Sequence, residues 1–122
     1  MPLVLIFHGA GGTAKGIMRE TGWAAKADAE GFLAVFPEGT SRFAKPSGIA
    51  GRLRRGGGGT WNDGSGRDLA AIKQGIDHVD SIRLLLDWVK ERYRVDERRF
   101  YATGFSNGAS MVFRLMREMP NV

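Results

Sequence analysis

The sequence predicts an α/β fold: a small parallel sheet of about three strands, flanked by helices. Two observations carry that prediction. Short, nearly continuous apolar runs at Leu3–Phe7, Phe32–Phe36 and Phe100–Thr103 read as strands buried on both faces. Segments with helical spacing lie between and after them, and such alternation argues for a parallel sheet with helices on its faces.

Taken in order, Leu3–Phe7 ends at His8-Gly9, and Gly9, Gly11 and Gly12 make a loop. A helix is expected over roughly Ile17 to Glu30, with Trp23, Ala24 and Ala27 at helical spacing and Gly31 as its stop. Phe32–Phe36 is closed by Pro37. Residues 38–75 show no clean period, and a loop that long in a compact domain is unusual and often functional. The clearest helix follows, its buried face marked by Ile82, Leu85, Leu86, Val89 and Tyr93. Asp77 and Asp80 near its start and Lys90, Arg92 and Arg94 near its end suit the helix dipole. After the third strand comes a last helix to about Glu118, expected to bury Val112, Leu115 and Met116. Doubly wound topology commonly sets the first strand between the second and third, which brings the His8 loop beside the turn at Ser106.

At 122 residues the chain suits one domain over residues 1–122, with ordinary hydrophobic (43%) and charged (25%) fractions. No apolar run approaches the roughly 20 residues needed to cross a bilayer, and the start reads directly into a strand without the pattern of a secretory leader. Read as it stands, the sequence is expected to be soluble and cytoplasmic, with its compartment otherwise left open. With no cysteine there is no disulfide framework and no thiolate metal site. The net charge of +5 and the Arg52-Leu53-Arg54-Arg55 cluster invite a nucleic-acid reading. Without interleaved aromatics, a solvated loop is the simpler account, and the basic balance could equally favour anionic esters.

Gly104-Phe105-Ser106-Asn107-Gly108 fits G-x-S-x-G. That pattern serves a sharp strand-to-helix turn that lifts a serine hydroxyl above the sheet, its glycines allowing strand and helix to approach closely. The helix start can stabilise developing negative charge. Acyl transfer also needs two backbone N–H donors aimed at the oxyanion. One is expected from Asn107, the other from Ala10 with Gly11 as its neighbour, in His8-Gly9-Ala10-Gly11-Gly12.

With those residues in view, the chain resembles the polyhydroxybutyrate depolymerase and feruloyl or acetylxylan esterase group of α/β-hydrolases. The matching stretches are Leu5–Gly9, Val35–Gly39, Gly59–Asn62, Ile76–Asp80 and Tyr101–Ala109. The resemblance implies a three-layer α/β-hydrolase core, here incomplete, forming a single partial domain. It also implies ester hydrolysis by a serine, histidine and aspartate triad without a cofactor or metal, Ser106 being the nucleophile and His8–Gly12 the oxyanion loop. Three departures stand out. Relatives often carry cysteines near the tryptophan segment. They commonly read Asp-Asp-Val where this chain reads Asp77-His78-Val79. In this fold the acid and histidine follow the nucleophile, yet residues 107–122 contain neither aspartate nor histidine.

Three sources for the missing base are open. The chain could be a truncated, weakly active or non-catalytic remnant that folds by self-association. His78, at a helix start on the active face, could serve, oriented by Asp77, Asp80 or Asp63; His8 is nearer by topology but suits a bracing role in the oxyanion loop. Finally, the two open edges of a three-stranded sheet predict a homodimer or higher homo-oligomer, whose partner could bring a histidine. Trp61 is either an aromatic wall of a substrate pocket, beside His8, or an anchor for the long loop. Met111, Met116 and Met119 read as core filler. The sequence-level expectation is a serine carboxylesterase for small-molecule short-chain or aryl esters.

Overall fold

The computed structural model describes residues 1–41 and 58–122. Its elements run β1 (Leu3–Phe7), α1 (Ala14–Glu20), α2 (Trp23–Glu30), β2 (Leu33–Val35), a short α3 (Ala70–Lys73), α4 (His78–Arg92), β3 (Phe100–Gly104) and α5 (Asn107–Glu118). The three strands are parallel in the order β2-β1-β3, with the first strand central as expected. Leu3 pairs with Leu33 on one side and Phe100 on the other, and Phe7 pairs with Gly104.

All five residues of β1 are buried, because helices cover both faces of the central strand. Alternation along the strand divides its side chains. Leu3, Leu5 and Phe7 join Val79, Ile82, Leu86 and Val89 of α4 and Met111 and Leu115 of α5 in the larger core. Val4 and Ile6 meet Ile17 of α1, with Trp23, Phe32, Ala34 and Phe36 against them. The result is a small three-layer α/β arrangement. Among the described residues no helix is long and apolar enough to cross a membrane.

Several expectations shift. The single helix expected from Ile17 to Glu30 is two helices, broken at Thr21 and Gly22, where Thr21 turns to extended backbone and its hydroxyl caps Ile17 O at 2.7 Å. Gly31 does stop the second, at φ 76° in the left-handed region that glycine enters without a Cβ penalty. β2 spans three residues, all half-buried, because it is an edge strand paired on one side only. Tyr93 is not on the buried face of α4 but forms its C-cap, 46% exposed. In α5 the buried stripe is Asn107, Gly108, Met111 and Leu115, with Val112 half-buried and Met116 turned outward. Of the expected filler methionines, only Met111 is fully buried.

The long loop is partly built. Gly59 bridges Gly12 and Thr60 bridges Thr40, which laces residues 58–62 across the ends of β1 and β2. Thr60 Oγ1 also accepts the Ala71 amide at 2.8 Å, fastening α3. The Arg52–Arg55 cluster lies outside the described residues.

Candidate active site

The parallel register sets the C-terminal ends of β1 and β3 side by side, so the loop leaving β1 and the turn leaving β3 must meet. They do: the Phe105 amide donates to Phe7 O at 3.2 Å, and a Cβ on Gly9 would stand 3.1 Å from the Phe105 ring. Both glycines of the turn are required by contact. A Cβ on Gly104 would lie 2.5 Å from the Gly108 carbonyl carbon, and one on Gly108 would collide with Phe7 O and His8 O. Helix and strands therefore approach as closely as backbones allow.

Ser106 sits at the apex with φ 54° and ψ −116°, the one non-glycine residue at positive φ among the described residues. Such a conformation persists only where the surroundings over-determine it. Serine at a helix start ordinarily turns its hydroxyl back to cap an amide. Here it makes no such cap, the side chain is exposed, and no hydrogen bond reaches its Oγ among the described residues.

Two amides beside this turn are equally unspent. Among the described residues the N–H groups of Ala10 and Asn107 donate to no acceptor, and Ala10 is exposed. The Gly11 amide, by contrast, donates to Gly59 O at 2.9 Å. That bond takes Gly11, expected beside Ala10 in the oxyanion hole, out of the set of free donors and makes it the fastening point of the loop. A cavity of about 490 Å³ opens along residues 8–13, bounded by Ile17, Glu20 and Phe105.

The two histidines take positions beneath the loops. His8 is 1% exposed; its Nε2 accepts the Gly39 amide at 2.9 Å, so Nδ1 carries the proton and donates to Gly9 O at 2.8 Å. It braces the loop from below. His78 is 3% exposed at the start of α4. Its Nδ1 accepts the Asn62 amide at 2.9 Å, which leaves Nε2–H to donate to Thr40 Oγ1 at 3.0 Å. Burial, reinforced by the Arg114 charge, presses its pKa down to about 4 against the opposing pull of Asp77. With both nitrogens of each ring engaged, the structure brings neither imidazole to the Ser106 hydroxyl. Nor do the proposed orienting acids bond His78: Asp77 caps α4 through the Asp80 amide, and Asp63 points elsewhere.

Trp61 resolves toward the anchor. It is 1% exposed, donates from Nε1 to His8 O at 2.8 Å, and packs edge-on to Phe7 and His78 with centroids 4.9 and 5.0 Å away. A ring so enclosed offers no wall to a ligand, whereas His8, although buried, borders the cavity along residues 8–13.

Sequence reasoning missed the Asn107 side chain. Its Oδ1 accepts the Trp61 amide at 2.7 Å, while Nδ2 donates to Trp61 O at 3.2 Å and to Asp63 Oδ2 at 2.9 Å. The polar run Trp61-Asn62-Asp63 after a glycine tract was the available signal, but pairing it with residue 107 needs the fold.

Among known proteins, the chain is 32% identical over 121 residues to a protein of Nocardia uniformis subsp. tsuyamanensis named "Putative esterase NocK". It is 28% identical over 120 residues to acetylxylan esterase A of Emericella nidulans. It is 27% identical over 120 residues to the bifunctional acetylxylan esterase/xylanase XynS20E of Neocallimastix patriciarum. The chain is similar to esterases. Each match covers 98% of this chain but only 30%, 34% and 14% of those relatives respectively, so the chain spans about a third or less of their length. No family model matches it.

Proposed function

We propose that these residues form the nucleophile half of an α/β-hydrolase serine esterase, related to the acetylxylan and feruloyl esterase and polyhydroxybutyrate depolymerase group and acting on short-chain or aryl esters. One observation carries the reading: an exposed, uncapped serine held at positive φ on a strand-to-helix turn, with unspent amides beside it. The esterase names of the relatives agree with it.

In this reading Ser106 Oγ attacks the ester carbonyl carbon. The oxyanion is received by the Ala10 and Asn107 N–H groups and by the positive end of the 12-residue α5. Collapse breaks the acyl C–O bond, the alcohol leaves with a proton, and water then releases the acid from the acyl-serine. No cofactor enters these steps. The proton of Ser106 needs a base that neither His8 nor His78 can be while its ring nitrogens hold Gly39 and Thr40. A second copy of the chain would bring the same two engaged imidazoles. The base is therefore supplied from beyond these 122 residues, and in its absence the chain is the weakly active remnant, with residual catalysis of about 10³–10⁴ over water at best. Self-association through the open edges of β2 and β3 is compatible with either form.

A fluorophosphonate probe tests the reading. Labelling of the wild type that disappears in Ser106→Ala supports an activated serine; labelling of neither favours the non-catalytic remnant, and equal labelling of both refutes Ser106 as the nucleophile.

A further inference from the structure

The strained turn at Ser106 needs something to hold it, and the fold supplies a clasp from a distant segment. Asn107 is 1% exposed, and its amide side chain is held at both ends by residues 61–63 through the three bonds described above. The outermost of those partners is itself fixed. The Asp63 side chain is 0% exposed, its Oδ1 accepts the Ser65 amide at 3.0 Å, and its Oδ2 pairs with Arg67. Arg67 is in turn steadied by Ser65 Oγ at 3.0 Å. Burial by itself would raise the Asp63 pKa, but the bonds from Ser65, Arg67 and Asn107 outweigh it and hold it at about 2, so the carboxylate is a permanent acceptor.

Side chain and amide of Asn107 share one Cα. Locking the side chain therefore fixes the direction of the Asn107 N–H and the ψ of Ser106 before it. We infer that Asp63 is a positioning residue of the nucleophile turn, acting through the Asn107 side chain to aim the backbone amide and the Ser106 hydroxyl. This rests on the esterase reading for its catalytic consequence, though not for the clasp itself. A misplacement of about 1 Å can cost on the order of a hundredfold in rate, so the effect belongs to the chemical step and not to binding.

Two variants and two readouts test it. Asp63→Ala removes the acceptor, whereas Asp63→Asn keeps an oxygen for Asn107 Nδ2. Expected for Asp63→Ala is a maximal fluorophosphonate labelling rate of Ser106 lowered roughly tenfold or more, at unchanged half-saturating probe concentration, with most of the rate restored in Asp63→Asn. Hydrogen exchange reports the clasp without reference to reactivity. The Gly108 and Ser110 amides, which donate to Phe105 O and Ser106 O, should lose protection in Asp63→Ala while β1 amides keep theirs. Protection unchanged at both positions overturns the inference, as does a lowered melting temperature with the labelling rate per folded molecule intact. A wild type that never labels, combined with lost protection in Asp63→Ala, favours the non-catalytic remnant and leaves the clasp standing.

Discussion

Acid should loosen the ends of the sheet through a single imidazole. His78 is buried as the neutral ring, its Nδ1 filled by the Asn62 amide, so a proton there must displace a bond and carry a charge into the core. Facing it are Arg114 and His8, which oppose that charge, and Asp77, which favours it; burial is the largest influence. In the unfolded chain the ring titrates near 6.5, and in the folded chain near 4. Because the folded value is the lower, the unfolded state takes up the proton first as pH falls. Stability contributed by His78 is thus complete above pH 6.5 and declines as pH drops toward 4. At about 1.4 kcal/mol per tenfold, that displacement amounts to roughly 3 kcal/mol, a large share of the 5–15 kcal/mol typical of a domain. Asp63 contributes at lower pH. Its folded pKa near 2 lies below the ordinary 3.8, so its contribution is present above 3.8 and lost as pH falls through 2. Urea unfolding of the wild type and of His78→Gln at intervals between pH 7 and 4 separates the two. The wild type should lose roughly 3 kcal/mol more than the variant across that interval. Parallel curves for the two proteins would refute the assignment of His78 as the neutral, bonded ring.

Two further outcomes follow from contacts already described. Gly108→Ala places a methyl against Phe7 O and His8 O, backbone atoms that cannot swing aside, and should destabilise by about 3 kcal/mol or prevent folding, read as a fall in the thermal midpoint. Trp61→Phe keeps an aromatic ring beside Phe7 but loses the bond to His8 O, leaving a buried carbonyl without its donor. A loss of about 2 kcal/mol in urea midpoint analysis is expected, and an unchanged midpoint would refute the weight given to the bond to His8 O.

Much of this architecture was legible beforehand, for reasons that differ by element. Leu3–Phe7 is apolar at every position because β1 is covered on both faces, and that signal is unambiguous. Edge strand β2 was read too long, since apolar character extends to Phe32 and Phe36, which pack against Val4, Ile6 and Ile17 beyond either end of the pairing. The break at Thr21-Gly22 hid behind a helical pattern that runs on through both helices. In α5 Leu115 was placed correctly, whereas Val112 and Met116 were each set inward one position past the true stripe. Its buried stripe begins with Asn107 and Gly108, a polar residue and a glycine, so hydrophobicity favoured the neighbouring set containing Met116. At the site, the turn and the loop were readable from glycine spacing. Which amide is spent was not, because Gly11 is fastened by Gly59, 48 positions away along the chain. The bracing role of His8 was legible, but what each ring holds was not: a tautomer is decided by partners such as Asn62 and Gly39, which no local pattern links to rings at 78 and 8.

The packing of Trp61 gives the chain an optical gauge of its own integrity. An indole sealed between Phe7 and two imidazoles should emit toward the blue and escape quenching by iodide, whereas Trp88, 48% exposed on α4, should be quenched freely. Any event that parts the loops from the sheet, whether acid, mutation or heat, will admit the quencher to the sheltered ring, so the condition of this end of the sheet can be followed without a ligand or a label.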